Sequence, residues 1–525
     1  MQVLVTDPIE EAGLELLRAA GHNVRVEPDL SQEELLEAIS DAHALIVRSA
    51  TVVTDEVLAA GDDLMMIGRA GIGVDNIDIE AATERGVIVA NAPAANARSA
   101  AEHTVAMALA AARSIPQAHM RLKDGEWAKA DYIGMQLSGA TLGVVGLGRV
   151  GYDVAQHLGE LGMDVVIYDP YVPRERATRL GAELVDLTTC LERADILTIH
   201  TPLTDETAGF IGSDELATLG NAYLINCARG GIVDEDALAA VVAEGELRGA
   251  ALDVFAEEPL PADSPLLAVD DIIVTPHLGA STKAAQEEVA TSIAQQVIAG
   301  LAGQPVEEAI NAPSVEAHVF ERISPYIELA ETAGMIATQL FDGRLESLQI
   351  EYIGEIADED VELVTATAVT GVCNALDWNV NPVNARRIAE ERGIDVTESR
   401  RTRSEDFTSL LRLTVGNEGD SLAVEGTMFT EGEPRIVRIA GYRVDAVPHG
   451  HMLIVRNQDR PGVIGLIGTI LGEQDINIAA MFNSRRADGG EALTVYNLDQ
   501  AVPPAVIDEL ESDYRIINAR YITLA

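Results

Sequence analysis

The first ninety residues alternate between short apolar runs and stretches with helical periodicity. The apolar runs have the length of β-strands and read MQVLVTD, ALIVRS, LMMIGRAG and VIVANAP. Between them lie helical patterns such as EEAGLELLRAAG, SQEELLEAIS and DIEAATERG. Near-continuous apolar strands separated by helices are typical of a parallel sheet that is covered by helices on both faces.

A second block of the same kind extends from about Ser99 to Ala284. It opens with a long helical stretch that runs toward Trp127, for which Ser99 is a suitable N-cap and Glu102 its capping-box partner. Six strand candidates follow, with helical patterns between all but the last two: TLGVVG, DVVIYD, ILTIHT, AYLINCA, GAALDVF and DIIVTPH. This order predicts a complete doubly wound α/β unit over residues 99–283.

Two smaller units are predicted beyond a boundary marked by Pro305, Asn311 and Pro313. In residues 314–447, helical patterns are followed by alternating strands such as SLAVEGTMF and EPRIVRI, which indicates an α+β domain. Residues 451–525 read strand, helix, strand, strand, helix, strand. That βαββαβ order predicts a compact ferredoxin-like domain.

Acidic residues dominate the charge, with 85 Asp and Glu against 36 Lys and Arg and a net charge of −49. Such a surface repels nucleic acid and anionic membranes, so we expect neither as a partner. The plain interpretation is a solvated surface; a further hypothesis is a salty cytoplasm, in which salt screens the repulsion. The cysteines Cys190, Cys227 and Cys373 have neither metal-site nor disulfide-framework spacing, and we expect no metal. Without a leader pattern or a span-length apolar run, the chain is predicted to be soluble and cytoplasmic.

A glycine motif, GLGRVG at residues 146–151, follows a predicted strand and opens a predicted helix, which is the context that dinucleotide binding requires. Gly146 allows a tight turn, Gly148 lets a pyrophosphate approach the backbone, and Gly151 lets the helix pack on the strand. Asp169, at the end of the next strand, can accept hydrogen bonds from a ribose diol and repel a 2′-phosphate, which favours NAD over NADP. The alternative is a glycine-rich turn that only packs.

Three later segments carry the residue types of hydride-transfer chemistry: Arg229 in LINCARGGIVDEDAL, Glu258 in ALDVFAEEP and His277 in VTPHLGAST. Oxidation of a secondary alcohol releases a hydroxyl proton, which a histidine can take up and return. A carboxylate fixes the tautomer of such a histidine, and an arginine binds a substrate carboxylate in a bidentate manner. On spacing alone Glu257 can replace Glu258, and each residue taken singly can be structural.

These motifs in this order (GLGRVG, NCARGGIVDE, LDVFAEEP and PHLGAST) resemble the NAD-dependent D-2-hydroxyacid dehydrogenase family. The resemblance implies that the arginine, glutamate and histidine just named form the catalytic triplet. It also implies two flavodoxin-like lobes, with the NAD lobe at 99–283 inserted into a substrate lobe made of 1–98 and 284–310, and hinge closure between them. Further candidate cofactor contacts in or near these motifs are Arg149, Val150, Thr201, Cys227, Asp253, His277, Gly279 and Ala280.

The segment RAGIGVDNID, residues 69–78, places two glycines in a short loop after a strand. Its backbone N–H groups can form an anion nest for a substrate carboxylate. The candidate donors are Gly71, Gly73 and Val74. Arg48 and Arg69 lie at strand ends of the same lobe, and they are either surface residues or contacts of a phosphorylated substrate. The segments resemble the branch of the family that oxidises 3-phosphoglycerate, which implies that these two arginines meet the phosphate.

The C-terminal segment HMLIVRNQDRPGVIG, followed by DINIAAM, resembles an ACT domain, a regulatory module that binds amino acids where two such units meet. An α+β domain followed by an ACT domain resembles the long-chain members of that branch, which implies inhibition by serine. The candidate effector contacts are Asn457, Asp459 and Asn477. The alternative is a turn that feeds a helix and binds no ligand. A basic cluster at Arg400, Arg401 and Arg403 is either an anion site or a solvated loop.

Other functions remain open at this point. One is a dehydrogenase of the same fold that reduces glyoxylate or hydroxypyruvate; another is a non-catalytic NAD-sensing scaffold; a third is an amino-acid sensor with a vestigial dehydrogenase part. The resemblance further implies a homodimer or homotetramer, with pairing through the NAD lobes and the ACT edges.

Overall fold

Five short parallel strands and four helices form the first layered unit of the computed structural model, which describes residues 1–93, 96–403, 406–429, 432–486 and 490–524. The strands are β1 Gln2–Val5, β2 Asn23–Val26, β3 Ala44–Val47, β4 Met66–Arg69 and β5 Ile88–Asn91. The helices are α1 Glu11–Ala19, α2 Gln32–Ala38, α3 Asp55–Ala60 and α4 Ile79–Glu84. All strand pairs are parallel and the spatial order is β2-β1-β3-β4-β5, the flavodoxin-like order.

The second unit is a seven-stranded sheet in which every strand pair is parallel. Its helices are α5 Ala97–Ala112, α6 Ile115–Lys123, α7 Arg149–Glu160, α8 Arg174–Arg179, α9 Leu187–Arg193, α10 Ser213–Leu219 and α11 Glu235–Ala243. Its strands are β6 Thr141–Val145, β7 Asp164–Tyr168, β8 Glu183–Leu184, β9 Ile196–Ile199, β10 Tyr223–Asn226, β11 Gly249–Leu252 and β12 Ile272–Val274. The spatial order β12-β11-β10-β9-β6-β7-β8 reverses direction between β6 and β9, where doubly wound sheets bind ligands.

The opening helix of this unit differs from the sequence prediction. Helix α5 begins at Ala97 after Asn96, so Ser99 is not the N-cap; it lies within the first turn, with its hydroxyl 3.1 Å from that of Thr282. A left-handed residue, Ser114, with φ of 46°, divides the predicted long helix into α5 and α6. Strand β8 was not predicted, because two residues carry no periodic signal.

After the second sheet the chain returns to the first one through helix α12 Lys283–Leu301. The hydroxyl of Thr282 caps this helix by accepting the N–H of Ala285. Ile293 and Val297 of α12 join the core that covers β4, and both lie so close to Gly68 that a β-carbon there would collide with them. The first sheet is therefore covered by helices from both ends of the first 301 residues.

A third, mixed sheet has six strands in the order β14-β13-β15-β16-β17-β18. They are β13 Ser347–Gly354, β14 Asp395–Arg401, β15 Ser409–Gly416, β16 Ser421–Met428, β17 Pro434–Ile439 and β18 Tyr442–Ala446. The helices of this unit are α13 Ala317–Leu340, α14 Glu362–Asn374 and α15 Ala385–Glu391. Of these described strands, β13 and β14 pair in parallel and the other neighbours are antiparallel, which confirms an α+β arrangement.

The C-terminal unit is an antiparallel sheet, ordered β20-β21-β19-β22, with two helices. Its elements are β19 His451–Gln458, α16 Val463–Glu473, β20 Ile478–Arg485, β21 Glu491–Leu498, α17 Pro504–Ser512 and β22 Ile516–Thr523. This confirms the βαββαβ prediction. Met452, Ile454 and Leu493 join one hydrophobic core with the third sheet, so the two C-terminal units pack as a continuous body. Within the described ranges, no helix is long and apolar enough to cross a bilayer.

Candidate active site

A cleft of about 610 Å³ lies between the first two sheets, at the carboxyl ends of their strands. Thirteen of the residues predicted from the sequence line it: Arg69, Gly73, Gly148, Arg149, Val150, Thr201, Cys227, Arg229, Asp253, Glu258, His277, Gly279 and Ala280. The predicted residues outside this lining in the first 283 residues are Arg48, Gly71, Val74, Gly146, Gly151 and Asp169. The motifs therefore converge on one cleft, although not every predicted residue faces it.

The three motif glycines of residues 146–151 have different surroundings. Gly146 adopts φ of 92°, a left-handed turn conformation that favours glycine. A β-carbon on Gly151 would collide with the carbonyl of Gly146, whereas one on Gly148 would meet nothing within 4 Å. Helix α7 then begins at Arg149, and its first residues line the cleft, so the N–H groups of the first turn, which lack helix carbonyl partners, lie beside the cleft. The geometry thus provides close packing at two glycines and open space for a phosphate at the third.

Asp169 is already engaged by backbone donors. Its carboxylate accepts the N–H groups of Leu147 at 2.8 Å, Tyr171 at 2.9 Å and Val172 at 3.2 Å. It thereby ties the glycine loop to the end of β7. With about four acceptor positions on a carboxylate, it retains capacity for a ribose hydroxyl.

Thr201 offers a second indication of a ligand site, because its hydroxyl oxygen is buried without a hydrogen-bond partner among the described residues. Buried hydroxyls are normally paired, so an unpaired one in a cleft fits a bound molecule. Open space at Gly148 and this unpaired hydroxyl both fit a dinucleotide. Nearby Cys227 is a neutral thiol, since burial raises its pKa to about 12.

Glu258 and His277 form a direct pair. The Nδ1 atom of His277 lies 2.7 Å from one carboxylate oxygen of Glu258, and the other oxygen accepts the N–H of Phe255 at 3.0 Å. Glu258, and not Glu257, is thus the carboxylate that contacts the imidazole. With Nδ1 held as the donor, Nε2 of the half-exposed ring is left to accept a proton.

Arg229 crosses the cleft toward the first unit. Its Nε atom lies 3.4 Å from the carboxylate of Asp75, and its guanidinium also donates to the carbonyl of Ala228 at 2.7 Å. A β-carbon on Gly73 would collide with this guanidinium. The glycine therefore makes room for the arginine, a role that the sequence analysis did not foresee.

Arg69 lies against the same loop and lines the cleft. A β-carbon on Gly71 would collide with its guanidinium. Burial, together with the nearby positive charges of Arg229 and Arg48, lowers the pKa of Arg69 to about 10. Three arginines thus concentrate positive charge at the cleft, which suits a substrate with more than one anionic group.

The predicted anion nest is only partly available. The N–H of Gly71 donates to the carbonyl of Arg69 at 2.8 Å, so Gly71 cannot donate to a ligand and its prediction as a nest donor is wrong for this conformation. The loop doubles back there to bring Arg69 over the glycine. The N–H groups of Gly73 and Val74 have no protein acceptor among the described residues and remain candidates.

Arg48 faces an adjoining cavity of about 250 Å³ that shares Asn96 and Ala280 with the main cleft. Its guanidinium approaches the carbonyl of Pro8 at 3.4 Å. The Asn96 side-chain oxygen is buried and has no partner among the described residues. Arg69 therefore lines the main cleft and Arg48 the cavity next to it.

The three candidate effector residues are not brought together within one chain. Asn457 is buried near the end of β19 and donates to the carbonyl of Gln458, while Asp459 forms an ion pair with Arg485 at 3.1 Å. Asn477 lies at the other end of β21, bound to Asp499 at 2.6 Å. A ligand that touches both ends must lie between two chains.

Sequence reasoning missed three residues that line the cleft, Asp75, Asn96 and His200, and also His103, which lies 3.2 Å from Asp253 of the lining. His200 lines the cleft with its ring desolvated, which lowers its pKa to about 3 and keeps it neutral. Asp75 and His103 carry no local signal, since they meet Arg229 and Asp253 from elements far away in sequence. Among the described residues no group of three His, Cys, Asp or Glu side chains is arranged to hold a metal ion.

Three segments of the chain match family models. Residues 105–279 match the NAD binding domain of D-isomer specific 2-hydroxyacid dehydrogenases. Residues 322–440 match the intervening domain of D-3-phosphoglycerate dehydrogenase, and residues 451–513 match the ACT domain.

Similar proteins cover the entire chain. The D-3-phosphoglycerate dehydrogenase of Archaeoglobus fulgidus is 42% identical over 528 residues, and that of Methanocaldococcus jannaschii is 42% identical over 527, each covering 100% of both chains. A crystal structure of a Thermus thermophilus protein, 34% identical, covers 59% of this chain and 100% of that one with a TM-score of 0.56.

The cleft and the matched domains define an NAD-dependent D-2-hydroxyacid dehydrogenase, an enzyme whose cofactor is NAD. Over its whole length the chain belongs to the D-3-phosphoglycerate dehydrogenase family.

Proposed function

We propose that this enzyme oxidises D-3-phosphoglycerate to 3-phosphohydroxypyruvate, the first step of serine biosynthesis. The observation that carries the proposal is the cluster of Arg48, Arg69 and Arg229 around a cleft in an otherwise very acidic chain. A substrate with a carboxylate at one end and a phosphate at the other satisfies that cluster. The full-length relatives that bear the name of this reaction support the same substrate.

In the proposed mechanism, Arg229 and the N–H groups of Gly73 and Val74 hold the substrate carboxylate. Arg48 and Arg69 hold the phosphate. Both groups fix the C2 hydroxyl next to Nε2 of His277, which removes its proton as the C2 hydrogen leaves as hydride. Bound NAD supplies the hydride acceptor.

Glu258 completes the proton transfer without taking the proton itself. It accepts the Nδ1–H of His277 and stabilises the imidazolium that forms. In the reverse direction the imidazolium returns the proton to the developing alkoxide. Glu235, whose carboxylate accepts the N–H of Ala256 at 2.6 Å, steadies the loop that presents Glu258.

The direct test follows NADH formation with D-3-phosphoglycerate, D-glycerate and D-lactate as alternative substrates. We expect turnover with the phosphorylated acid to exceed that with the other two. Preferential use of glycerate, or reduction of hydroxypyruvate in preference to 3-phosphohydroxypyruvate, favours the glyoxylate or hydroxypyruvate class instead. We expect His277→Ala to lose most turnover and still bind NAD. If the unaltered protein binds NAD but turns over none of these acids, the scaffold alternative is favoured instead.

We further propose feedback by serine at paired ACT domains. The Asn457 side-chain oxygen is buried without a partner among the described residues, although buried amide oxygens are normally satisfied. Asp459 can meet an ammonium, and Asn477 of a second chain can meet the carboxylate or hydroxyl. Serine is expected to lower the rate and raise Tm, and Asn477→Ala to abolish both effects. Titration of the unaltered enzyme without any effect contradicts the proposal.

Pairing of NAD lobes is supported by an exposed apolar patch on helix α6 and the segment after it. The patch consists of Ile115, Met120, Leu122, Trp127 and Ile133, whose exposed fractions run from 53% to 90%. Several large exposed apolar side chains within one short segment are typical of an interaction site, and we propose a second copy of the chain as its partner. Light scattering of Trp127→Glu tests this: a wild-type mass of one chain, or an unchanged mass in the variant, contradicts it.

A further inference from the structure

The proton acceptor of the proposed reaction stands on a strained loop. His277 has φ of 54°, in the left-handed region that non-glycine residues rarely occupy. Its N–H donates to the carbonyl of Thr275 at 2.9 Å, which closes a tight turn after strand β12. Such a conformation persists only when its surroundings hold it in place.

A single buried carboxylate holds both sides of this turn. Asp253, only 1% exposed, accepts the N–H groups of Leu278 and Gly279, each at 2.8 Å, and the hydroxyl of Thr275 at 2.5 Å. Burial alone would raise the pKa of Asp253, but the hydrogen bonds from His103, Thr275 and Leu278 outweigh it, so the pKa is lowered. The carboxylate is therefore charged at neutral pH and accepts hydrogen bonds from residues on both sides of His277.

The fourth donor to this carboxylate comes from another element. Nε2 of His103, on helix α5, lies 3.2 Å from Asp253 and 3.3 Å from the Thr275 hydroxyl. The His103 side chain is 20% exposed, so the contact is largely shielded from solvent. Helix α5 is the first element after the chain leaves the first unit. Its His103 therefore connects the start of the second unit to the turn that carries His277.

We propose that His103 is a positioning residue for proton transfer: through Asp253 it holds the strained turn that aims Nε2 of His277 at the substrate hydroxyl. This rests on the proposed role of His277. It also gives Asp253, predicted from the sequence as a cofactor contact, a second task. Three of the four contacts lie on Oδ1 and one on Oδ2, so Oδ2 keeps an acceptor position for a cofactor.

A structural role in packing helix α5 predicts something different. Loss of packing reduces the fraction of folded enzyme, which lowers the rate but leaves each remaining site unchanged. Loss of positioning slows the chemical step in every site, since small displacements of a catalytic group have large effects on rate.

The test compares His103→Leu, which removes the donor, with His103→Gln, whose amide can still donate to Asp253. His157→Leu is the matched control, because among the described residues that exposed imidazole hydrogen-bonds to the carbonyl of Asp153 in its own helix and to no other group. Rates are measured with the hydroxy acid and its C2-deuterated form, and NADH binding counts the folded sites.

We expect His103→Leu to lower kcat about tenfold or more per NADH-binding site, with a larger deuterium isotope effect and little change in KM. His103→Gln is expected to restore most of kcat. Unchanged kcat per site, or a lower kcat with an unchanged isotope effect, overturns the proposal. If His103→Leu fails to fold, His103→Asn, whose amide is too short to reach Asp253, takes its place.

A second readout does not depend on the identity of the substrate. Amide hydrogen exchange of the peptide that covers residues 275–279 is expected to accelerate in His103→Leu and to stay slow in the Gln variant. Equal exchange in all variants overturns the proposal. If the enzyme oxidises another hydroxy acid, the proposed function fails while this test still applies.

Discussion

At the scale of single residues, the arginines of the cleft depend on the glycines beneath them. A β-carbon on Gly71 would collide with the guanidinium of Arg69, and one on Gly73 with that of Arg229. The glycines were predicted from the sequence as anion-nest donors, but their absent side chains also decide where the arginines lie. Motif reasoning singles out such glycines, but it cannot foresee a role that depends on a side chain packed against them.

This contact gives a prediction for Gly73→Ala. The alanine methyl displaces Arg229 from its place beside Asp75, so we expect the KM for the hydroxy acid to rise about tenfold or more, the equivalent of losing one charge-assisted hydrogen bond. Steady-state kinetics measures it, with calorimetry to show that Tm is retained. Gly468→Ala, where a β-carbon meets nothing within 4 Å, is the control. An unaltered KM in the Gly73 variant contradicts the placement of Arg229.

We also expect cofactor selectivity to depend on a single residue, Asp169. Replacing Asp169 with alanine removes the acceptor for a ribose diol and the charge that repels a 2′-phosphate. We expect the KM for NAD to rise about tenfold and the preference over NADP to relax. The carboxylate also holds Leu147 and Tyr171, so Asp169→Asn is measured in parallel. An unaltered NAD to NADP ratio of kcat/KM in both variants excludes Asp169 from recognition.

At the scale of elements, prediction from the sequence succeeded where the pattern is long or repeated. Both parallel sheets follow from near-continuous apolar strands, and the βαββαβ unit from its order of elements. Ser99 was misassigned because Asn96 and Ser99 are both N-cap residue types; the helix begins at Ala97, which leaves Ser99 inside its first turn. Contacts between distant elements, such as His103 with Asp253, have no sequence period and could not be predicted.

Helix α4 provides a prediction at this scale, because the intervening domain caps its C-terminal end. Asn384 donates to the carbonyl of Glu84 at 3.1 Å, and Asn381 donates to that of Gly86 at 2.7 Å. Helix α4 directly follows the loop that carries Asp75, so a contact that fixes the end of this helix also stabilises that loop.

Replacing Asn381 with alanine leaves the Gly86 carbonyl without its donor. We expect a loss of about 1–3 kcal/mol in unfolding free energy and faster hydrogen exchange in α4. Arg386→Ala is the control, since in the described part of the chain that exposed residue pairs with Glu390 of its own helix and with no other acidic residue. Equal stability and exchange in the two variants contradict a stabilising role for this contact.

At the scale of the whole molecule, the excess of acidic groups opposes folding. A net charge of −49 produces repulsion that ion pairs cannot balance, because 36 basic residues face 85 acidic ones. The repulsion falls with ionic strength, since the screening length shrinks from about 10 Å at 0.1 M salt to about 3 Å at 1 M. The same salt weakens the ion pair of Arg229 with Asp75, an exposed carboxylate across the cleft. We therefore expect salt to act on stability through the net acidic charge, and on substrate binding through the ion pair of Arg229 with Asp75.

We accordingly expect Tm to rise steeply between dilute buffer and about 1 M KCl, and then to level off as screening is completed. Calorimetry across a KCl series measures this. NaCl is expected to act equally, because screening depends on ionic strength, and sucrose at matched osmolarity is expected to reproduce little of the effect. A Tm that does not change with KCl contradicts this prediction. It would show that the acidic charges lie far enough apart for water alone to screen their repulsion.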